Sequence, residues 1–177
     1  MNDATLPFSP TARVLHWLMA VMILTMLFVG VGMVSTVSGW HTWLLSIHKP
    51  LGIAILVLAV VRLAVRLRLP PPPLPADLPA PQKLAAHASH WLLYGLMIAM
   101  PLIGWAMLSA GGYPVMLGTS FHLPPILPAD PVAFAILRHL HTWLAMLLYI
   151  TFLGHLAAAL YHGLIRRDGV LSSMTTG

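Results

Sequence analysis

Ten histidines and no cysteine are spread over 177 residues, and four of the ten, His16, His48, His141 and His155, fall where neutral imidazoles could bind iron. His141 and His155 form the sharpest pair. Fourteen residues of helix is almost four turns, so both rings point to one side of the same helix, about 21 Å apart along its axis. Such a helix offers a nitrogen ligand at two separate levels. Porphyrin iron takes one axial ligand on each face, and adjacent helices of a bundle can supply two opposed imidazoles. The chemistry that follows is reversible electron transfer at two iron porphyrins. The lack of cysteine excludes disulfides, thiolate-held iron–sulfur clusters or zinc, and CxxCH attachment, so any haem is held noncovalently by histidine or methionine.

The spacing carries meaning only if the helices span a bilayer. Hydrophobic residues make up 59% of the chain and charged residues 7%, and mean hydropathy is +0.87, far from the soluble mixture in which about a quarter of residues are charged. No Asp, Glu, Lys or Arg occurs between Arg13 and Lys49, from Leu84 to Ala129, or from His139 to Ile165. Each stretch holds at least one span of about 20 residues. The apolar run from Val14 to Val34 exceeds a signal-peptide core and lacks an obvious small-residue cleavage pattern, so it reads as a true helix.

Apolar runs and their breakers predict four helices, at about 12–35, 47–68, 84–109 and 134–164, in a single transmembrane domain over 1–177. The expected fold is an all-α integral membrane four-helix bundle. Pro70-Pro71-Pro72-Pro73-Leu74-Pro75, followed by Pro79 and Pro81, reads as a stiff extended connector. Residues 110–133 carry Gly111, Gly112 and five prolines yet remain apolar, as expected of a loop on the membrane face or over the bundle end. Pro101 falls inside the third helix, where neighbouring helices can satisfy the freed carbonyl.

Seven of the nine cations, Arg13, Arg62, Arg66, Arg68, Lys83, Arg166 and Arg167, collect on one side, leaving Lys49 and Arg138 on the other. The positive-inside rule makes the first side, and both termini, cytoplasmic. Arg62 and Arg66, four apart on one helical face, are expected to snorkel to the headgroups. With this topology His16 and His155 lie toward the cytoplasmic half, and His48 and His141, each beginning its helix, toward the outside.

A lone intramembrane histidine more often makes an interhelical hydrogen bond or lines a cavity than binds metal, and histidines at helix ends often sit wet among headgroups. Two depth-matched pairs outweigh that reading. His162 shares a face with His155 and is its rival as inner ligand, about 10 Å nearer the water. His87 and His90 share a face and read as an interfacial polar patch, with contacts to propionates or a quinone headgroup as the other possibility. His41, His122 and His139 receive no ligand role. Glycines 30, 32, 52, 95, 104 and 154 suit both close porphyrin approach and bare helix packing, and Trp17, Trp40, Trp43, Trp91 and Trp143 sit where an aromatic belt is expected. Lys49 and Arg138 each neighbour an outer candidate ligand, where they can anchor to headgroups, pair with propionates or attract an anionic donor.

Ala12-Arg13-Val14-Leu15-His16-Trp17, His48 with Gly52 and Val61-Arg62-Leu63, His87-Ala88-Ser89-His90 leading to Met100-Pro101-Leu102-Ile103-Gly104, Leu140-His141-Thr142-Trp143, and Gly154-His155-Leu156-Ala157-Ala158-Ala159 occur in that order. In these stretches the chain resembles the bacterial four-helix cytochrome b561 family over about residues 10–172. The resemblance implies two haem b groups with axial ligands His16, His48, His141 and His155, paired as His16/His155 and His48/His141. Pro50 departs from it, standing where relatives commonly have serine after the His-Lys pair. The resemblance further implies a multi-pass protein of the bacterial inner membrane with ubiquinone as exchangeable substrate. In superoxide oxidase-like members, superoxide at the periplasmic surface is the donor. The expected function is thus electron transfer between a periplasmic donor and ubiquinone, with Lys49 and Arg138 attracting the small anionic donor.

Two alternatives stand beside it: a haem-bearing anchor for a hydrogenase- or dehydrogenase-type partner, and a haem-free, histidine-lined transporter. The acidic residues, Asp3, Asp77, Asp130 and Asp168, all lie outside the expected spans, which argues against a carboxylate proton relay. The expected surroundings are lipid bilayer, quinone and a small donor or protein redox partner, with no nucleic acid.

Overall fold

In the computed structural model, which describes residues 7–117 and 121–175, the apolar runs become four long helices: α1 (Pro10–Ser35), α2 (Gly39–Arg68), α3 (Ala80–Ala110) and α4 (Pro131–Leu160). At 26 residues α1 is the shortest of them, and at 1.5 Å per residue it still exceeds the roughly 30 Å of a bilayer's hydrocarbon core. All four are long and apolar enough to cross a membrane. Large apolar side chains such as Val14, Phe28, Val60 and Ile150 lie exposed on the outer faces. Only 6% of the most apolar window of α4 is buried in the protein, so hydrocarbon is the solvent that such a surface requires.

Each helix starts earlier than the hydropathy run predicts, and in α1, α2 and α4 a capping side chain sets the start. Ser9 caps α1 by accepting from the Ala12 N–H, and Pro10 follows in the first turn, where its missing N–H costs nothing. Asp130 caps α4, accepting from Val132 and Ala133, with Pro131 next. Pro81 belongs to the first turn of α3, not to the connector. The largest difference is in α2. Ser38 caps it through the Trp40 N–H, so the helix begins at Gly39, and Pro50 lies in its interior instead of its first turn. His48 and His141 consequently sit more than two turns inside α2 and α4, not at their starts.

The helices form a chain of neighbours, α1 against α2, α2 against α3 and α3 against α4. Met19 and Ile23 of α1, Ile55 and Ala59 of α2, and Tyr94 and Met97 of α3 make the buried core, with Phe152 of α4 packed against it. Backbone approach of α4 to α1 and α2 is at most marginal. The connection between α3 and α4 is not irregular throughout. A two-stranded hairpin forms from β1 (Val115–Leu117) and β2 (Phe121–Leu123), with Met116 opposite His122. Strand β1 packs on α2 and α3, so the segment covers the bundle end. It is tied down where Trp105 donates to the Pro124 carbonyl, the Ile126 N–H to Ser109 Oγ and the Asp130 N–H to the Ala110 carbonyl.

At its other end α4 runs into a π-helical turn, Tyr161–Arg166, that ends on Arg167 in the left-handed region (φ 52°). The following segment folds back under α1. Trp17 Nε1 donates to the Met174 carbonyl and the Phe8 N–H to the Ser173 carbonyl.

Because the Asp130 carboxylate holds two otherwise orphaned N–H groups at the start of α4, Asp130→Ala should destabilise the protein by about 1 kcal/mol. A thermal midpoint of the detergent-purified variant equal to wild type would show that the cap is not made.

Candidate functional site

The antiparallel order of the helices places the start of α1 and the end of α4 at one end of the bundle, and the first third of α2 and of α4 toward the other. His16 and His155 face each other at the first level with ring centres 6.2 Å apart, and His48 and His141 at the second level, also 6.2 Å apart. An imidazole nitrogen binds a first-row metal at about 2 Å and lies about 1 Å from its ring centre, so two rings on opposite faces of one metal stand about 6 Å apart. Both gaps would admit a metal held by one nitrogen of each ring. Among the described residues no three His, Cys or carboxylate groups converge as a metal-ion cage requires.

At the second level, Nδ1 of His48 is buried without a hydrogen-bond partner. An imidazole nitrogen left so is costly, and the fit of a ligand-bearing group at this level rests on that cost as well as on the gap. Gly104 of α3 backs the His141 ring: a Cβ there would meet His141 Cε1 at 3.3 Å. Between the two levels lies an apolar layer, with Ile55 and Leu148 at the midpoints of α2 and α4 and both buried.

The remaining histidines sort differently from the pattern expected of them. His87 and His90 do not act as one interfacial patch, since His87 is exposed while His90 turns inward, its ring 5.4 Å from that of His155. That gap is shorter than the spacing across an iron. Sequence periodicity put the two on one face but could not resolve which faced the bundle. His41 lies in the first turn of α2 and donates through Nδ1 to the Met33 carbonyl, 3.0 Å away, while His122 and His139 are exposed. His162 Nδ1 is 2.6 Å from Asp168 Oδ2, and Arg166 reaches both Asp77 and Asp168. His162 is thereby engaged with the chain's own carboxylate, and the ring opposite His16 is that of His155.

Arg62 does not snorkel. Its Nη2 donates to Nδ1 of His16 at 2.8 Å, and its guanidinium lies 5.4 Å from the centre of the Tyr94 ring. Arg66 lies over Trp91 and Tyr94 at 5.5 and 5.6 Å. Hydropathy counting had no signal for this, because contact with His16 depends on the rotation of α2 against α1. At the opposite end Lys49 and Arg138 line one open cleft of about 290 Å³ with His41, Met107, Tyr113 and Phe134. Lys49 Nζ is 3.5 Å from the Pro114 carbonyl, and Arg138 is exposed. Two cations on different helices thus share one mouth beside the second level.

A family model described as prokaryotic cytochrome b561 matches residues 7–177. Cytochrome b561 homolog 2 of Escherichia coli (strain K12) is 33% identical over 162 residues, covering 90% of this chain and 86% of that protein. The probable superoxide oxidase CybB of Yersinia pestis is 35% identical over 136 residues, 76% of each chain. Cytochrome b561 homolog 1 of E. coli is 31% identical over 176 residues, 94% of this chain and 96% of its own.

The carboxylate that engages His162 also ties acid stability to the end of α4. Burial pushes the Asp168 carboxyl up. The hydrogen bonds from His162 and the Val170 N–H, with the charges of His162 and Arg166, outweigh that and leave it below the ordinary carboxylate range. The stabilisation is therefore fully present above the unfolded value of about 4 and is lost as pH falls through the lower folded value. In Asp168→Asn the fall in thermal midpoint below about pH 4 should be shallower than in wild type; an identical acid limb would remove Asp168 from the account.

Proposed function

The chain belongs to the prokaryotic cytochrome b561 family of membrane haem proteins, and from that premise we propose that it is a diheme b-type cytochrome passing electrons between a donor at the Lys49/Arg138 end and ubiquinone. His16 and His155 hold one haem b, and His48 and His141 the other. The observation that carries this reading is the pair of equal 6.2 Å ring-to-ring gaps, two levels apart in one bundle. The haems supply the reversible one-electron chemistry when bound. The chain orients the imidazoles, backs His141 with Gly104, and keeps water from the layer between the levels with Ile55, Leu148 and Phe152. A haem-free transporter does not fit membership of a haem-protein family.

The charge distribution supports an orientation with the cation-rich end, which carries both termini, in the cytoplasm of a bacterium and the protein in its inner membrane. The Lys49/Arg138 cleft then faces the periplasm. Two cations without a carboxylate in the lining favour a small anion, and superoxide is the donor suggested by the relative named a probable superoxide oxidase. Two superoxide ions oxidised to dioxygen release two electrons, which with two protons convert one quinone to quinol.

Detergent-purified protein should show b-type bands on reduction and two haems per chain by pyridine haemochrome. His155→Ala should lose one haem and spare the other; an unchanged haem count in that variant would transfer the ligand role to another histidine.

Superoxide should reduce the wild-type protein at a rate that falls with salt. Lys49→Gln/Arg138→Gln should be slower, by about tenfold at low ionic strength, and nearly salt-independent. A rate indifferent to both substitutions would leave these cations as headgroup anchors.

A further inference from the structure

The two levels differ in their charge. At the His16/His155 level a permanent cation lies beside the candidate ligand: Arg62 of α2 crosses to α1, its Nη2 2.8 Å from His16 Nδ1. Because a neutral imidazole holding iron through Nε2 keeps its proton on Nδ1, Arg62 would act on that site through its charge and not through this hydrogen bond. The guanidinium also lies over the Tyr94 ring, 5.4 Å from its centre, an arrangement that favours a cation. Arg66 shares the Tyr94 ring from one turn further along. Among the described residues neither arginine is within ion-pair distance of a carboxylate of the chain. Among the described residues the nearest acids at that end, Asp77 and Asp168, pair with Arg166 and His162. At the His48/His141 level the cations are Lys49 and Arg138, and they line an open cleft where water and salt screen them.

Reduction of iron adds one negative charge, so a fixed positive charge nearby favours the reduced form, and does so more strongly where the surroundings are poorly polarisable. We propose that Arg62 is a positioning residue that raises the electron affinity of the His16/His155 site above that of the His48/His141 site. The difference makes the favourable direction of electron flow run from the Lys49/Arg138 cleft toward the arginine-rich end. This rests on the diheme reading above, and it adds the residue that sets the relative electron affinity of the two sites. Arg62 acts through its charge and not by contact with substrate. A positively charged replacement should therefore retain much of the effect, even though lysine lacks the planar fork that fits both His16 and Tyr94.

The test is a spectroelectrochemical titration of the purified holoprotein, with haem per chain measured on the same samples. Wild type should resolve two one-electron components. In Arg62→Gln the higher midpoint should fall by about 59 mV, a tenfold change in a one-electron equilibrium constant, while the lower one stays in place. Arg62→Lys should restore most of that shift. In His155→Ala, which removes the site beside Arg62, the surviving component should be the lower one, and this arm tests the order of the two sites even if Arg62→Gln fails to assemble. Two haems with both midpoints unmoved in Arg62→Gln, or survival of the higher component in His155→Ala, overturns the inference and leaves the ligand assignment standing. Fewer than two haems in wild type overturns both.

Discussion

Polar side chains at membrane depth have no water to fall back on, and this constraint organises the molecule. With hydrocarbon outside, the helices can be apolar on nearly every face, and the outward valines, leucines and phenylalanines need no protein partner. What must be satisfied inside is the short set of imidazoles and Arg62. These groups meet one another across helices: His16 with His155 and Arg62, His90 with His155, His48 with His141. The bundle is thus held in register by the apolar layer of Ile23, Ile55, Met97 and Phe152 at its middle and, at one level, by the contact of Arg62 with His16.

That layering bears on the proposed chemistry. α4 carries a histidine for each level but leans on α3, leaving its backbone apart from α1 and α2. Separation of that kind suits flat groups clasped between α4 and the α1/α2 pair. Gly104 shows the same economy of space, since α3 approaches the His141 ring closely enough that even a methyl group would press on it. The two ends of the bundle then differ in access and charge. The hairpin β1/β2 and the cleft with Lys49 and Arg138 stand over one level, while the C-terminal segment, tied to Trp17 and Phe8, closes under the other. Ends built so differently suit different reaction partners.

Much of the fold was legible in one dimension. Apolar runs and their breakers located the four spans, three of them within charge-free stretches, and the fourteen-residue interval between His141 and His155 put two histidines at separate levels of one helix. Helix starts were misjudged because hydropathy registers the apolar run and not the cap that precedes it. Ser9-Pro10, Ser38-Gly39 and Asp130-Pro131 carry the start signals, and reading them would have placed Pro50 in the interior of α2. The hairpin escaped because its strands are three residues each, too short for any period to stand out from the prolines and glycines around them.

The sequence by itself determined that the chain consists of four apolar helices with histidines at two depths and cations mostly at one end. These are properties of composition and helical rise, and they hold whatever the helices pack against. Only the tertiary structure decided which histidines meet. It turned His90 inward and His87 out, gave His162 to Asp168, and brought Arg62 to His16 across 46 positions of sequence. The physical reason is that a side chain's partner depends on the rotation and axial offset of one helix against the next. Those are set jointly by interlocking side chains on several helices, and no single helix carries them in its own pattern.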